Sequence, residues 1–270
     1  MHPRVSIDNV CMMQLGPREL IASCKNLGAQ RVVLSSPQLL ADAGAPEAAR
    51  HALLDTGIEV EAINGAFAVF PNLPDDRGQA GATMQRVIEI GSALGAKAVY
   101  FLTGGRGRLD WDDAALRFSE LVAPCCALAR DRGMRVMIEN APALYADLHI
   151  AHSLADTVEL AEQSGVGICI ELYFCWVEAG LKRLFRRAMP HCGLVQVSDY
   201  VLGDRSLPNR AVPGDGVIPL ERLLGDLLDA GYQGVFDIEL IGPRIDLEGQ
   251  MAATRRAAER VSEMLVRLGA

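Results

Sequence analysis

Three glutamates lie in segments that otherwise have the apolar, β-branched character of buried strands. They are Glu139 in VMIENAP, Glu171 in ICIELYF and Glu239 in GVFDIELIG. A buried carboxylate is costly unless a partner compensates its charge. Because the pattern occurs three times, the sequence predicts a site where the carboxylates share a partner such as a cation.

The alternation within these segments indicates which way the carboxylates point. Successive residues of a strand face opposite sides, so Val136 and Ile138 share the face opposite to that of Glu139. The segments of Glu171 and Glu239 alternate in the same way. We expect the bulky apolar residues to pack against helices and the glutamates to face the opposite side.

Short β-branched runs alternate with helix-period segments along the whole chain. A glycine that ends the preceding helix announces most of these runs, and Asp110 and Ser153 are plausible N-cap residues. The pattern predicts an α/β fold, a single (β/α)₈ TIM barrel over residues 1–270. A doubly wound open sheet is the alternative, but the first run lacks the glycine-rich turn that typically follows it. The predicted strands are residues 5–11, 30–36, 59–65, 97–103, 134–140, 166–172, 194–200 and 234–240.

In a barrel, the carboxyl ends of the strands form the mouth where active sites are built. Glu139, Glu171 and Glu239 all lie near such ends, and LVQVSDY turns Gln196 inward beside them. Oxygen donors of this kind suit Mn²⁺ or Mg²⁺ better than Zn²⁺. The alternative is that each glutamate pairs with an arginine or lysine at the rim.

Composition excludes several classes of partner. The formal charge is −8 and the chain has no long run of lysine and arginine, so nucleic acid is not expected. No stretch of roughly eighteen apolar residues indicates a membrane span, and the N-terminus lacks the pattern of a signal peptide. The seven scattered cysteines indicate reduced thiols. These features favour a cytoplasmic protein acting on a small molecule.

Four motifs in order, IEN, VQVSDY, VPGDG and IEL, give the chain a resemblance to the xylose isomerase-like TIM barrel superfamily, which includes sugar isomerases and epimerases. The resemblance implies that Glu139, Glu171, Gln196 and Glu239 hold a divalent metal. Glu171 stands where the family usually has aspartate, and Gln196 where it usually has histidine. The nuclease branch of the superfamily needs a histidine-rich zinc site, which the five histidines of this chain do not provide.

The chemistry that the resemblance implies is an enediolate reaction of a keto-sugar or related hydroxy-ketone. Metal polarises the carbonyl, and Glu139 and Glu239 act as acid and base on opposite sides of the substrate. Reprotonation gives isomerisation or epimerisation, whereas loss of a β-hydroxyl from a cyclic or more apolar hydroxy-ketone would make the protein a dehydratase or lyase. A non-catalytic subunit with a degenerate metal site is a third hypothesis. Barrels of this kind often pair, so a homo-oligomer is plausible.

Further candidate residues lie in the loops at the mouth. His149 could serve as an additional acid or base, whereas His152 more plausibly flanks a helix start. Arg205 or Arg210 could contact a substrate oxygen, and their distances in sequence from the seventh strand leave the choice between them open. An anion site and a tight glycine turn both fit TGGRGR. Aromatic residues also gather in these loops, and they indicate either loop packing or a substrate with a ring or hydrocarbon part; they are Phe67, Phe70, Tyr145, Tyr173, Phe174 and Trp176.

Overall fold

Eight parallel strands close into a barrel, and each strand pairs with its neighbours in chain order until β8 pairs with β1. The computed structural model describes residues 1–67 and 72–270, so Phe70 lies outside the described residues. Every predicted strand segment overlaps an observed strand, which confirms the barrel. The strands are β1 Val5–Asp8, β2 Arg31–Ser35, β3 Glu59–Ala66, β4 Ala98–Leu102, β5 Arg135–Glu139, β6 Gly167–Glu171, β7 Cys192–Val197 and β8 Val235–Ile238.

Helices connect the strands and form the outer layer. Asp110 and Ser153 cap α5 and α6 as predicted, because their side chains accept hydrogen bonds from the backbone N–H groups of Asp113 and Asp156. None of the helices in the described ranges combines the length and apolarity that a membrane crossing needs. The helices are α1 Pro17–Asn26, α2 Ser36–Ala41, α3 Ala45–Thr56, α4 Gln79–Ala93, α5 Trp111–Asp131, α6 Leu154–Ser164, α7 Leu172–Cys175, α8 Leu181–Ala188, α9 Leu220–Asp229, α10 Pro243–Glu248 and α11 Gln250–Arg267.

The strands divide their side chains between two apolar layers, as the alternation predicts. Val136 and Ile138 of β5 belong to the large core between barrel and helices, whereas Met137 belongs to a separate cluster inside the barrel. Because Glu139 follows in the same alternation, it faces the lumen above that cluster. The inner cluster consists of Val33, Ala62, Ala98, Tyr100, Met137, Cys169, Leu194 and Val235.

The loop after β7 is folded around the carboxylate of Asp199. This side chain is fully buried and accepts hydrogen bonds from the backbone N–H groups of Tyr200, Gly214, Gly216 and Ile218 at 2.8–3.0 Å. One side chain therefore fixes both ends of the loop, which explains why aspartate in VQVSDY and glycines in VPGDG occur together. Residues 201–213 lie between the anchored residues Tyr200 and Gly214.

A glycine-to-alanine pair tests this account of the loop. A Cβ on Gly216 would clash with the Tyr200 carbonyl oxygen and with Asp199 Oδ1, so Gly216→Ala should lower the free energy of unfolding by about 2 kcal/mol. Gly225 lies within α9, and a Cβ there would only touch Leu268 at 3.5 Å. Because alanine favours a helix more than glycine does, Gly225→Ala should be neutral or slightly stabilising. Urea denaturation measures both, and equal stability of the two variants would contradict the account.

Candidate active site

The three glutamates that the sequence singles out meet at the carboxyl end of the barrel. Glu139 and Glu171 are the last residues of β5 and β6, and Glu239 follows the last residue of β8. One carboxylate oxygen from each lies within 4.8 Å of the other two. Glu171 is fully buried, and Glu139 and Glu239 are partly buried. The arrangement matches a three-carboxylate site for a cation.

Asn140 holds the ends of β5 and β6 together. Its side-chain amide donates to the Glu171 carbonyl at 3.0 Å, and its side-chain carbonyl accepts from the Glu171 backbone N–H at 2.9 Å. The backbone pairing of β5 and β6 ends at Glu139 and Cys169, and these two side-chain hydrogen bonds continue to join the strands beyond that point. The IEN motif therefore positions Glu139 relative to Glu171 as well as supplying a carboxylate.

Arg210 is the positive charge nearest the glutamates in the described part of the chain. Its Nη2 donates to Glu171 Oε2 at 2.8 Å and to Glu239 Oε2 at 3.4 Å. The guanidinium carbon lies 4.0 Å from the ring centre of Tyr173 and 4.5 Å from that of Phe174. Of the two arginines that the sequence left open, Arg210 is the one in contact with the glutamates.

The carboxylates are more numerous than this arginine can neutralise. Two unit charges 4.8 Å apart repel by on the order of 3 kcal/mol at an effective dielectric constant of 20. Burial raises the pKa of Glu139 well above its ordinary value, and the charge of Glu239 adds to that effect. Burial also raises the pKa of Glu171, although Arg210 opposes the shift. The site therefore favours binding of a further positive charge.

The partners of each carboxylate show where such a cation could bind. Glu171 Oε1 accepts from the backbone N–H of Tyr173, and its Oε2 accepts from Arg210. Within residues 1–67 and 72–270, the Glu139 carboxylate accepts no hydrogen bond. Glu139, which has no partner, thus lies beside Glu171 and Glu239, which share Arg210. The atoms that all three offer to a metal are hard carboxylate oxygens.

A second polar layer lies below the glutamates in the lumen. Asp8 accepts from the hydroxyl of Tyr100 at 2.6 Å and from the amide of Asn64 at 3.1 Å. Asp237 accepts from the hydroxyl of Ser6 at 2.5 Å. Burial, followed by the charge of Glu239, raises the pKa of Asp8 to about 6. The sequence had not indicated this layer as part of the site.

Gln196 belongs to that lower layer. Its side chain faces the lumen as predicted, but its Nε2 donates to the Tyr100 hydroxyl at 3.2 Å, and its Oε1 accepts from Cys169 Sγ at 3.1 Å. The amide is therefore held by Tyr100 of β4 and by Cys169 of the neighbouring strand β6. Its role as a metal ligand stays a prediction.

The imidazole of His149 contacts Thr103 in the segment after β4, and its role as an additional acid or base stays a prediction. It is fully buried, and its Nδ1 is within hydrogen-bond distance of the Thr103 backbone N–H at 3.1 Å and of the Thr103 hydroxyl at 3.0 Å. Burial lowers the pKa of His149 to about 3, with a smaller effect from His152. An imidazole that stays neutral and enclosed at physiological pH fits a structural role.

The remaining predicted residues surround the mouth. The ring of Phe174 packs edge-on against Tyr145 at 6.1 Å, and Phe174 and the exposed Arg205 line one groove beside the glutamates. Their roles in substrate binding stay predictions. In TGGRGR, a Cβ on Gly105 would lie 2.6 Å from the Asp147 carbonyl oxygen, so close backbone packing explains this glycine.

Comparison with known proteins agrees with this geometry. The family described as xylose isomerase-like TIM barrel matches residues 21–264, and the chain belongs to that family. No curated protein matches the sequence. Among solved structures, protein SMc04130 from Sinorhizobium meliloti 1021 has a TM-score of 0.83 at 22% identity, with 98% of each chain covered.

Two other solved structures carry functional descriptions. A D-psicose 3-epimerase in the presence of D-fructose has a TM-score of 0.81 at 17% identity, covering 99% of this chain and 100% of its own. The IOLI protein with a binding zinc atom has a TM-score of 0.83 at 16% identity, covering 98% of this chain and 99% of its own. At these identities the likeness establishes the barrel fold.

The balance of charge around Arg210 can be tested by replacing it. In metal-free protein, Arg210→Met leaves the glutamates without their nearest counter-charge, so we expect a loss of roughly 3–5 kcal/mol in the free energy of unfolding. Saturating Mn²⁺ should recover much of that loss. Arg205→Met, at an exposed position, should change stability by less than about 0.5 kcal/mol. Denaturation curves with chelator and with Mn²⁺ measure both, and an equal loss under the two conditions would contradict the account.

The neutral state of His149 gives a pH dependence of stability. Between its ordinary pKa of 6.5 and about 3, the unfolded chain binds a proton that the native protein does not. Its stabilising contribution is therefore complete above about pH 6.5 and is lost as the pH falls. His149→Gln should flatten the decline by up to about 1.4 kcal/mol per pH unit. Coincident slopes for wild type and His149→Gln, measured by urea denaturation from pH 7 to 4, would exclude this role.

Proposed function

We propose that the protein is a metal-dependent isomerase or epimerase that acts on a keto-sugar or related hydroxy-ketone. The observation that carries the proposal is the convergence of Glu139, Glu171 and Glu239 within 4.8 Å at the barrel mouth. Family membership supports the same reading, because it places the chain among xylose isomerase-like barrels.

The donor set fits a divalent cation. Glu139, Glu171 and Glu239 would hold it, since they supply hard oxygen atoms and more negative charge than Arg210 balances. Mn²⁺ or Mg²⁺ suits such oxygens best. When bound, the metal would supply Lewis-acid polarisation of the substrate carbonyl and stabilise negative charge on its oxygen atoms.

The glutamates can also move protons. Glu139 and Glu239 extend from β5 and β8, which lie three strands apart around the mouth, so a substrate between them has one carboxylate on each side. One carboxylate takes the proton from the carbon next to the carbonyl, which leaves an enediolate. The other returns a proton to the opposite face. Glu171, whose two oxygens already accept hydrogen bonds, is suited to holding rather than to proton transfer.

Arg210 is suited to binding a substrate oxygen. Its Nε and Nη1 are buried and have no hydrogen-bond partner among the described residues, although Nη2 is paired with Glu171 and Glu239. Unpaired buried donors are costly, so a ligand that accepts from them gains affinity. A hydroxyl or carbonyl oxygen of a hydroxy-ketone has the required acceptor atoms.

A dehydratase or lyase is the second candidate. It would use the same proton abstraction and then expel a β-hydroxyl group. The aromatic rings of Tyr173 and Phe174, which flank Arg210, favour a substrate less polar than a simple sugar. Product analysis separates the two, because an isomerase or epimerase conserves the composition of the substrate and a dehydratase releases water.

Exchange of solvent hydrogen tests the shared first step. In D₂O with Mn²⁺, the protein should introduce deuterium next to the carbonyl of a hydroxy-ketone such as D-fructose or dihydroxyacetone. Glu139→Gln and Glu239→Gln should lower the rate by about 10²–10⁴-fold because each removes a proton-transfer group. Exposed Glu89→Gln on α4 should leave it unchanged.

Mass spectrometry of the recovered substrate measures the exchange. Incorporation that also occurs in chelator would show that no metal is needed. Absence of incorporation across a panel of hydroxy-ketones by metal-loaded protein would contradict the enzymatic function and favour a non-catalytic subunit.

A further inference from the structure

An apolar groove of about 350 Å³ opens at the barrel mouth beside the glutamates. The loops that follow β5, β6 and β7 form its walls, and Leu144, Val177 and Leu207 are among its lining residues. Leu144 is 74% exposed and Val177 is 69% exposed. Large apolar side chains held open to solvent on neighbouring loops are typical of a binding surface.

The groove shares a wall with the candidate active site. Tyr173 and Phe174 line it, and the same two rings contact the Arg210 guanidinium at 4.0 and 4.5 Å from their centres. Arg210 in turn bonds Glu171 and Glu239. Tyr173 and Phe174 therefore contact both the groove and the guanidinium that bonds the glutamates.

Aromatic packing fixes the shape of this wall. Tyr173 contacts Phe174 edge-on at 5.4 Å and Tyr200 at 5.8 Å, and Trp176 lies 6.2 Å from Tyr200. The Tyr200 hydroxyl donates to the Asp204 carbonyl at 2.7 Å, which ties the opposite side of the groove to the same cluster. The groove is thus preformed, as small-molecule sites usually are.

Size and polarity indicate what fits. A volume of about 350 Å³ lies at the lower end of the range for small-molecule sites, which suits one ring or a short hydrocarbon chain. Its charged residues lie on one side, where Arg205 is exposed and Asp204 is paired with Arg244 at 2.8 Å. The rest of the wall offers mainly apolar and aromatic contacts, which a bare polyol would not use.

We propose that this groove binds an apolar ring or hydrocarbon substituent of the substrate, so that the substrate class is an aryl- or alkyl-substituted hydroxy-ketone. This inference rests on the proposed function, because the reactive hydroxy-ketone must lie at the glutamates. The groove then contributes affinity and selects substituted substrates over unsubstituted ones.

Two probes that differ only in the substituent test the inference. Hydroxyacetone and 2-hydroxyacetophenone carry the same hydroxy-ketone group, but only the second has a ring. Calorimetric titration of Mn²⁺-loaded protein should show at least tenfold tighter binding of 2-hydroxyacetophenone, which corresponds to about 1.4 kcal/mol. Equal affinities would overturn the inference.

A matched pair of variants locates the effect. Leu144→Asp should weaken 2-hydroxyacetophenone binding at least fivefold and leave hydroxyacetone binding unchanged. Leu54→Asp makes the same change at a 69% exposed leucine on α3 and should affect neither probe. An unchanged preference in Leu144→Asp would overturn the groove assignment. Analytical ultracentrifugation gives a second test. If Leu144→Asp abolishes self-association and leaves the affinity for both probes unchanged, the surface is an interface between copies of the chain and the groove assignment is overturned.

Failure of the proposed function gives a different result. The ring preference and its loss in Leu144→Asp would then persist, but binding of both probes would be the same in chelator and in Glu239→Gln. That outcome retains the groove as an apolar binding site and removes the metal-dependent reaction. Dependence of both probes on Mn²⁺ and Glu239, together with the ring preference, supports both proposals.

Discussion

Mutual repulsion among buried carboxylates is the constraint on which the architecture of the mouth depends. Glu139, Glu171 and Glu239 approach within 4.8 Å in a site with little access to water, and such a group needs compensation by positive charge or protonation. Arg210 supplies one positive charge, and the carboxylate of Glu139 remains without a partner in the described ranges. The imbalance is the physical reason to expect a cation.

The surrounding structure holds the glutamates together against this repulsion. Asn140 joins the ends of β5 and β6 through both hydrogen bonds of its side chain. Asp199 folds the loop after β7 and exchanges backbone hydrogen bonds with Ala211, which sets the path of the neighbouring Arg210. Asn140 and Asp199 thus determine where the charged side chains of the site lie. The sequence motifs contain positioning residues of this kind as well as the glutamates themselves.

Local pattern was enough to predict the barrel and the direction of the glutamates. Strand alternation has a period of two, so the identities of Val136 and Ile138 determine that Glu139 faces the lumen. The hydrogen bonds of Gln196 could not be predicted in this way, because its partner Tyr100 lies across the lumen on β4. Arg210 lies in an irregular loop. Such a loop has no periodic pattern from which the direction of a side chain could be predicted from its position in the sequence.

The cation itself is the central claim, and binding of Mn²⁺ measures it most directly. Electron paramagnetic resonance of chelator-treated protein titrated with Mn²⁺ should show one site per chain in the wild type. Glu239→Gln should weaken that site strongly while the protein stays folded, because it removes one of the three carboxylates. Absence of stoichiometric binding, or binding that Glu239→Gln leaves unchanged, would contradict the account. Arg210 would then be the only counter-charge at the site among residues 1–67 and 72–270.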